Sequence, residues 1–361
     1  MTPSNPAPEH IPMNESAPWR VARFDQWIDP VFDQRLARES DIRLDVAPLR
    51  ADDARAWRLL ADAHIYQISA AKDELPPHWH AREALLARCP NLLCVSSTGA
   101  GFDTVDVDAC TRAGIAVVSQ IGANAPAVAE MAIGLMLAVS RRIVESDRKL
   151  RTQTGFSRES VMGHDIGGKT LGIVGLGHAG TRTAALARAF GMRVLAVDPF
   201  LSPEEIRARG AEPAELDTLV RVADVVSLHC PRERDTLGLF DAARFAAMKA
   251  GAIFVSTARG GVHDELALAD ALRSGHLAGA GLDVWQQEPP ALDHPLLALD
   301  NVVATFNTAG VSHEGRHNVA SMAAEQVVRM VGGERPPRLV NPEVWERVAR
   351  RRDAIAAAAA A

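Results

Sequence analysis

Short apolar runs alternate with amphipathic stretches along most of this chain. The runs have the length of β-strands, and the stretches between them repeat their apolar positions at helical spacing. Strands are expected at His64–Ser69, Leu92–Ser96, Ile115–Ser119, Arg193–Val197, Val225–His229, Ile253–Ser256, Gly279–Leu282 and Val302–Thr305. This alternation predicts an α/β fold built on doubly wound parallel sheets.

Helices are expected between these strands, and the longest begins at Pro126. Its apolar positions keep helical spacing to about Leu150, and proline at an early helical position fits its start. Shorter helices are expected at Ala51–Ala61, Ala81–Ala87 and Thr181–Phe190.

One further apolar run leads into the spacing G-x-G-x-x-G, which opens a helix. In this context Gly175 permits a tight turn, Gly177 lets the backbone approach a pyrophosphate, and Gly180 allows close packing of helix and strand. The helix N-terminus, whose N–H groups attract phosphate, carries His178 and Ala179. An ordinary βα turn is the alternative, but strand, helix and a following acid stand in the required order. The segment therefore predicts a dinucleotide site.

The acid is Asp198, which follows the next strand 18 positions after Gly180. Its carboxylate can accept hydrogen bonds from both ribose hydroxyls and would repel a 2′-phosphate, and no arginine follows in Pro199–Leu201. The predicted cofactor is therefore NAD, not NADP.

The length and net charge of the chain limit the number of its domains and the kinds of partner it can bind. The chain of 361 residues is long enough for two domains, and about 170 residues precede the glycine motif. The net charge of −6 argues against nucleic acid or an anionic membrane as the main partner, because both reward a basic face. No apolar stretch is long enough to span a bilayer.

The two ends of the chain differ from the rest. Met1–Pro18 is rich in Pro, Asn, Glu and Ser and lacks an apolar signal-peptide core, so a disordered leader is expected. Residues 351–361 end in alanines and are expected to form a flexible tail. The cysteines are scattered without C-x-x-C pairs, which favours reduced core thiols and a cytoplasmic location: Cys89, Cys94, Cys110 and Cys230.

Two polar segments follow late strands, at the edge where open α/β sheets bind their ligands. Arg259 follows the run Ile253–Ser256, and Glu288 follows the run Gly279–Leu282. An arginine fork can hold a 2-oxo acid by its carboxylate and carbonyl oxygens, which orients the acid and polarises its carbonyl for hydride attack. Taken singly, Arg259 is better explained as a surface ion pair and Glu288 as a solvated loop acid.

With these segments the sequence resembles the D-isomer-specific 2-hydroxy acid dehydrogenases over about residues 60–345. The motifs that carry the resemblance are Ser97–Asp103 with Val105–Asp106, Val128–Glu130, the glycine motif, Leu228–Pro231 with Thr236, the Arg259 and Glu288 segments, and Leu339–Pro342. The resemblance implies a Rossmann-type doubly wound parallel sheet inserted into a smaller flavodoxin-like α/β substrate domain. The implied boundaries are 19–124 and 308–350 for the substrate domain and 125–307 for the dinucleotide-binding domain.

The resemblance also implies roles for single residues. Arg259 looks like the arginine that orients the substrate, and Glu288 looks like the carboxylate that pairs with a catalytic histidine. The substrate-binding segment is Ser97, Thr98, Gly99, Ala100 and Gly101, in which the N–H groups of Ala100 and Gly101 form a cradle for the substrate carboxylate. The cofactor-lining positions are His229, Cys230, Pro231, Thr236, Thr257, Ala258, Asp283 and Ala309. A homodimer paired through the dinucleotide-binding domains is expected.

The chain departs from the family at the histidine itself, because Asn307 occupies that place. An amide donates a hydrogen bond but has no proton to transfer, so a contribution of about 10²- to 10⁴-fold from general acid catalysis is lost. Three outcomes stay open: Asn307 stabilises the oxyanion while water supplies the proton, a neighbouring histidine takes over, or the protein binds NAD without useful turnover. The histidines considered are His229, His263, His313 and His317.

The segment His313–His317 also matches the zinc motif H-E-x-x-H. Gly315 weakens the helix between the two ligands, and no later Gly and His complete the extended pattern. A zinc metallopeptidase with His313, Glu314 and His317 in its site is therefore a remote alternative, and no metal is expected.

Substrate choice depends on one loop position. Many relatives have an arginine where this chain has Ser97, and a phosphorylated acid needs such a cation for its distal phosphate. A small unphosphorylated acid such as glyoxylate, hydroxypyruvate or glycerate is favoured, and 3-phosphoglycerate stays open because Arg20, Arg23 or Arg43 can supply a phosphate contact. The predicted reaction is NADH-dependent reduction of a 2-oxo acid to the D-2-hydroxy acid, an oxidoreductase acting on CH-OH groups. A non-catalytic NAD(H)-sensing protein is the alternative.

Overall fold

The computed structural model describes residues 19–49 and 53–360. The predicted leader Met1–Pro18, the start of the helix expected from Ala51 and the last residue lie outside the described residues. Contacts divide the described chain into two units. The described residues within 1–124 and 316–361 form the first unit, and residues 125–315 form the second unit.

The first unit is built on a five-stranded parallel sheet. Its strands are β1 (Trp19–Phe24), β2 (Ile42–Ala47), β3 (Ile65–Ile68), β4 (Cys94–Ser97) and β5 (Ala116–Val118). They lie in the order β2-β1-β3-β4-β5, which is the order of a flavodoxin-like sheet. The helices among them are α1 (Val31–Leu36), α2 (Asp53–Asp62), α3 (Glu83–Leu86) and α4 (Val107–Ala113).

The second unit is built on a seven-stranded parallel sheet. Its strands are β6 (Thr170–Val174), β7 (Arg193–Val197), β8 (Glu212–Pro213), β9 (Val225–Leu228), β10 (Ile253–Ser256), β11 (Gly279–Leu282) and β12 (Val302–Ala304). The order β12-β11-β10-β9-β6-β7-β8 reverses between β6 and β9, the point at which Rossmann-type sheets bind dinucleotides.

The remaining helices complete the chain. They are α5 (Ala125–Ser140), α6 (Ile143–Thr152), α7 (His178–Ala189), α8 (Pro203–Ala208), α9 (Leu216–Val222), α10 (Ala242–Ala247), α11 (Glu265–Arg273), α12 (His313–Val331) and α13 (Trp345–Ala360). Short 3₁₀ turns lie at Pro77–Trp79, Arg158–Val161 and Pro342–Val344. No helix in the described ranges is both long and apolar enough to cross a bilayer.

The register of the second sheet brings several chain segments to one edge. Ser256 of β10 pairs with Leu228 of β9 and with Leu282 of β11, and Leu282 pairs with Ala304 of β12. The residues that follow these strands therefore emerge side by side, at the carboxyl edge where open α/β sheets bind their ligands.

The strands β3, β4 and β5 of the first unit bury both of their faces. Tyr66 of β3 packs with Trp79 in one apolar cluster, whereas the neighbouring Ile65 packs with Ala323 of α12 in another. Because successive side chains of a strand point to opposite faces, these two clusters cover the two sides of the sheet. Strands buried in this way read as continuous apolar runs, which is why the sequence pattern finds them.

The predicted α/β fold with two parallel sheets is confirmed. From Arg193 onwards the predicted strands agree with the structure within one residue at each end. β1, β2 and β8 were not predicted.

One predicted helix is wrong. The apolar stretch from Pro126 to about Leu150 forms two helices, because α5 ends at Ser140 and α6 begins at Ile143. Arg142 between them has a φ of +51°, in the left-handed region that a continuous helix cannot contain. At the end of the chain, residues 351–360, expected as a flexible tail, are the C-terminal part of α13.

The four cysteines are free and buried, as predicted. Burial raises the pKa of the Cys89 and Cys230 thiols to about 11 and that of Cys110 to about 12, so all three are protonated at neutral pH.

Candidate functional site

The glycine motif forms a turn between β6 and α7 with no room for side chains at two of its positions. A Cβ on Gly175, whose φ is +92°, would lie 2.7 Å from the backbone nitrogen of Cys230. A Cβ on Gly180 would lie 2.1 Å from the carbonyl oxygen of Gly175. Around Gly177, in contrast, no described atom beyond its chain neighbours lies within 4 Å of the Cβ position. Gly177 is the residue that precedes α7, so open space lies at the helix N-terminus, which fits a pyrophosphate.

Asp198 is tied directly to this turn. Its Oδ2 accepts a hydrogen bond of 2.9 Å from the backbone nitrogen of Leu176, and its Oδ1 accepts one of 3.1 Å from that of Phe200. Arg209 donates a hydrogen bond of 2.7 Å to the carbonyl oxygen of Leu176, a contact that the sequence did not predict because no motif marks this arginine. The carboxylate predicted to bind ribose thus lies at the glycine turn.

The predicted cofactor-lining residues after β9 and β10 are linked to one another. The Nε2 of His229 lies 2.9 Å from Ser227 Oγ, and its Nδ1 lies 3.4 Å from Thr257 Oγ1. Thr236 Oγ1 donates a hydrogen bond of 2.6 Å to the carbonyl oxygen of Pro231. Burial lowers the pKa of His229 to about 4, so its imidazole is neutral at pH 7. Cys230 and Ala258 are buried in the same core cluster.

Asp283 follows β11 and is 1% exposed. Its Oδ1 accepts hydrogen bonds from Thr305 Oγ1 at 2.6 Å and from the backbone nitrogen of Thr308 at 2.9 Å, and its Oδ2 accepts one of 2.9 Å from that of Ala309. Its carbonyl oxygen accepts a further bond of 2.7 Å from the backbone nitrogen of Asn307. This buried carboxylate therefore fixes the path of the loop after β12.

The same loop brings Asn307 to Glu288. Asn307 Nδ2 donates a hydrogen bond of 2.9 Å to Glu288 Oε2, while Glu288 Oε1 accepts one of 3.1 Å from the backbone nitrogen of Trp285. Asn307 has a φ of +45°, in a left-handed conformation that asparagine and histidine adopt more readily than most residues. An amide thus stands against the carboxylate that, by resemblance, would pair with a histidine.

Arg259 lies on the adjacent segment. Its Nη1 donates a hydrogen bond of 2.8 Å to the carbonyl oxygen of Ala258. The next residue, Gly260, packs so closely that a Cβ there would lie 1.8 Å from the carbonyl oxygen of Trp285. The arginine segment therefore packs on the segment that carries Glu288, and the second unit brings the predicted residues Arg259, Glu288 and Asn307 to one edge of its sheet.

Residues that the sequence analysis missed hold this edge in place. Glu265 of α11, 7% exposed, accepts a hydrogen bond of 2.6 Å from the backbone nitrogen of Gln286 and lies 3.0 Å from His294 Nε2. Trp285 Nε1 donates a hydrogen bond of 2.9 Å to the carbonyl oxygen of Thr305. These partners are about 20 positions or more apart in sequence, so no local spacing reveals them.

The histidines considered as replacement proton donors lie in different surroundings. His263 is 1% exposed, both ring nitrogens lack a hydrogen-bond partner in the described part of the chain, and burial lowers its pKa to about 4. His317 Nδ1 lies 3.3 Å from Asp29 Oδ1 in the first unit. His313 is exposed at the start of α12, where Ser312 Oγ caps the helix by accepting a hydrogen bond of 2.9 Å from the backbone nitrogen of Gly315.

The zinc motif gives no metal cluster. Across residues 19–49 and 53–360, no group of three or more His, Cys, Asp or Glu side chains is arranged to hold a metal ion.

In the first unit, the predicted substrate-binding loop follows β4. Ser97 Oγ donates a hydrogen bond of 2.6 Å to the carbonyl oxygen of Gly101. The backbone nitrogen of Gln120 donates one of 2.8 Å to the carbonyl oxygen of Gly99. The backbone nitrogens of Ala100 and Gly101 donate to no acceptor within the described ranges. A fixed loop with two free N–H groups is suited to binding a carboxylate.

The chain is similar to one known protein family and to several known enzymes. Residues 133–308 match the family model described as D-isomer specific 2-hydroxyacid dehydrogenase, NAD binding domain. The chain is 42% identical over 243 residues to a D-3-phosphoglycerate dehydrogenase of Archaeoglobus fulgidus, covering 67% of this chain and 46% of that protein. It is 40% identical over 258 residues to a glyoxylate reductase of Korarchaeum cryptofilum, covering 71% of this chain and 78% of that protein. The chain thus spans about half the length of the phosphoglycerate dehydrogenases that it matches.

Solved structures give the same result. The TT0316 protein from Thermus thermophilus is 34% identical with a TM-score of 0.76, covering 89% of this chain and 99% of that one. A D-lactate dehydrogenase from Aquifex aeolicus, complexed with NAD and lactic acid, is 26% identical with a TM-score of 0.74, covering 89% of this chain and 99% of that one. The cofactor predicted from the glycine motif is confirmed as NAD.

Proposed function

Because this chain belongs to the D-isomer specific 2-hydroxyacid dehydrogenase family, we propose that it interconverts a small 2-oxo acid and its D-2-hydroxy acid with NAD(H). The observation that carries the proposal is the contact between Asn307 Nδ2 and Glu288 Oε2, beside the segment of Arg259. A cation, a carboxylate and a hydrogen-bond donor at the carboxyl edge of the NAD-binding sheet support the proposal.

Each group has one task in the reduction of a carbonyl. The carbonyl carbon receives a hydride, which NADH supplies when it is bound, and the carbonyl oxygen receives a proton. Arg259 orients the acid and stabilises the negative charge that develops on the oxygen. Asn307 uses one of its two N–H groups to bind Glu288. Its second N–H group is left to donate a hydrogen bond to the carbonyl oxygen of the acid. Since an amide cannot release that proton, water delivers it.

In the first unit, the free N–H groups of Ala100 and Gly101 bind the carboxylate of the acid. They supply partial positive charge without a charged side chain. In the second unit, the open space at Gly177 receives the pyrophosphate, and Asp198 binds the ribose hydroxyls.

A panel of 2-oxo acids, followed by the loss of NADH absorbance, tests the function. The Arg259→Ala variant is expected to lower kcat/KM by about 10²- to 10³-fold, because it removes the group that stabilises the developing charge. Arg273→Ala is the matched control, since Arg273 is paired with Asp270 on the surface of α11. The second candidate function, NAD(H) sensing without catalysis, is favoured if NADH binds tightly and no acid is reduced above the Arg259→Ala background.

The Asn307→His variant tests the proton supply. Its backbone conformation suits histidine, and Glu288 would raise the pKa of the new imidazole. We expect reduction to become about 10²- to 10⁴-fold faster and to slow as the pH rises above about 7, because only the protonated imidazole is an acid. Asn318→His, on the exposed side of α12, is the control. An unchanged rate would mean that the native site already contains an efficient proton donor.

We also propose that the protein is a homodimer. α6 buries none of its residues, and its Leu150 is 74% exposed, while Met162 in the segment that follows is 71% exposed. Exposed apolar surface of this kind commonly marks a protein interface. Light scattering should give twice the chain mass for the wild type and a shift towards the single-chain mass for Leu150→Asp. A single-chain mass for the wild type would contradict the proposal.

A further inference from the structure

A small cleft lies in the first unit at the carboxyl ends of β1, β3 and β4. We call it the Gln67 cleft. Its polar lining residues are Arg23, Gln26, Gln67, Ser69, Glu74 and Thr98. Gln67 of β3 is 2% exposed, and neither its Oε1 nor its Nε2 has a hydrogen-bond partner in residues 19–49 and 53–360.

The other polar groups of the cleft are already bonded within the protein. Arg23 donates to both carboxylate oxygens of Asp33, at 3.2 and 2.6 Å. Ser69 Oγ donates a bond of 2.5 Å to Glu74 Oε2, and Thr98 Oγ1 accepts one of 3.3 Å from the backbone of Ala70. Gln26 Nε2 donates to the carbonyl oxygen of Glu74. The amide of Gln67 is therefore the lining group left open.

Two other buried glutamines of this unit show what a structural amide does here. Gln326 Nε2 donates a bond of 2.6 Å to Gln120 Oε1, and Gln120 Nε2 donates one of 3.0 Å to the carbonyl oxygen of Ser97. A buried amide without such partners is unfavourable in an empty protein, because both polar atoms have lost water. An open amide in a cleft is therefore suited to a ligand.

Building on the proposed function, we infer that the Gln67 cleft is a subsite for a hydroxyl group at C3 of the 2-oxo acid, and that Gln67 is the residue that selects it. Gln67 can accept a hydrogen bond through Oε1 and donate one through Nε2, which is the pair that a hydroxyl uses. Thr98, on the wall of the cleft, lies two and three positions before Ala100 and Gly101, whose N–H groups bind the carboxylate. Two or three residues separate these groups by at most about 10 Å. A three-carbon acid is shorter than this, but a hydrogen bond of about 2.9 Å at each of its ends extends its reach.

Size and charge exclude a phosphate from this cleft. Its cavity volume is about 10 Å³, the space of roughly one water molecule. The charged groups at the cleft are already paired, Arg23 with Asp33 and Glu74 with Arg316 at 3.7 Å. No free cation is therefore left for a dianion among the described lining residues. The subsite therefore takes a small neutral donor and acceptor.

The test compares three acids that differ only at C3: glyoxylate, pyruvate and hydroxypyruvate. In Gln67→Met, which keeps the size of the side chain and removes its polar atoms, we expect kcat/KM for hydroxypyruvate to fall by at least about 10-fold. The values for pyruvate and glyoxylate should stay within about 3-fold of the wild type, since neither acid places a hydroxyl in the cleft. Gln34→Met, an exposed position on α1, is the matched control.

Equal effects on hydroxypyruvate and pyruvate, or no effect on either, would overturn the inference. If the wild type reduces none of the three acids, the proposed function fails, and the same comparison is made by calorimetric binding of hydroxypyruvate and pyruvate to the NADH complex. A binding preference for hydroxypyruvate that Gln67→Met removes would uphold the subsite; equal binding of both acids by the wild type would reject it.

Discussion

Two places in this molecule bury a polar side chain near the carboxyl end of a parallel strand, and they do so in opposite ways. Asp283, which follows β11, has bonds to Thr305, Thr308 and Ala309. Gln67, in β3, has no bond to any described residue. The first group is closed within the protein, and the second is open to a ligand.

The difference shows how a buried polar group that positions a loop can be told from one that can bind a ligand. A carboxylate whose oxygens are all used holds a loop in one conformation, and here that loop presents Asn307 to Glu288. An open amide holds nothing in place but gains two bonds when a matching group arrives. Both are buried, so burial alone does not distinguish a structural polar group from a binding one.

The largest expected effect is the loss of the closed group. Asp283→Ala removes three acceptor contacts of a buried carboxylate, each worth about 1.5 kcal/mol, so the free energy of unfolding should fall by about 4.5 kcal/mol. Urea unfolding measures it, and reduction of the preferred acid should fall as Asn307 loses its place. Asp270→Ala, at an exposed ion pair on α11, is the control. A loss below about 1 kcal/mol would contradict a positioning role for this carboxylate.

A smaller effect on stability is expected at His263, a buried polar side chain that, unlike Gln67, lines no described cleft. His263 is buried against the ring of Phe254 with no hydrogen-bond partner among the described residues, and burial lowers its pKa from 6.5 to about 4. The folded state then binds fewer protons than the unfolded state, so stability is present above about pH 6.5 and falls as the pH drops towards 4. At pH 5 this costs about 2 kcal/mol.

The variant His263→Phe should remove the fall in the free energy of unfolding that His263 causes at low pH. Urea unfolding at pH 7 and pH 5 should show a decline that is smaller than in the wild type by about 2 kcal/mol, with little change at pH 7. His229, whose pKa is also lowered to about 4, stays in both proteins and does not affect the comparison. Equal declines in the two proteins would mean that His263 is protonated or bonded in solution.

The smallest expected effect concerns the open amide without ligand. Gln67→Met should leave the free energy of unfolding unchanged or raise it by up to about 1 kcal/mol, because it removes polar atoms that have no partner. Thermal unfolding without substrate measures this difference. A clear loss of stability would show that the amide is bonded in the empty protein, and the comparison with Asp283 would no longer hold.

The sequence predicted what local spacing determines. The glycine motif was found because Gly175, Gly177 and Gly180 each meet a steric demand within one turn, and Asp198 because it ends the next strand. Arg259 and Glu288 were singled out because each follows a late strand, whereas their roles and the place of Asn307 came from the resemblance. The aligned strand ends explain why the three lie at one edge.

What the sequence did not predict depends on contacts between distant residues. The sequence of β1 looks polar because it contains Arg20 and Arg23, yet β1 lies between two other strands of its sheet. The two arginines are tolerated there because Arg20 pairs with Asp45 and Asp62, and Arg23 pairs with Asp33. The acceptor role of Glu265 and the open amide of Gln67 are likewise visible only when the chain is folded. The break at Arg142 went unnoticed because apolar spacing continues across it.

The four buried thiols have a practical consequence. With their pKa values raised by burial, they should not react with maleimide at neutral pH, so the native protein behaves towards alkylating dyes as a chain without cysteine. A single cysteine introduced at the exposed Gln34 would then carry a fluorophore at one known position, with no background to remove. The chain is thus ready for labelling without prior replacement of its own cysteines.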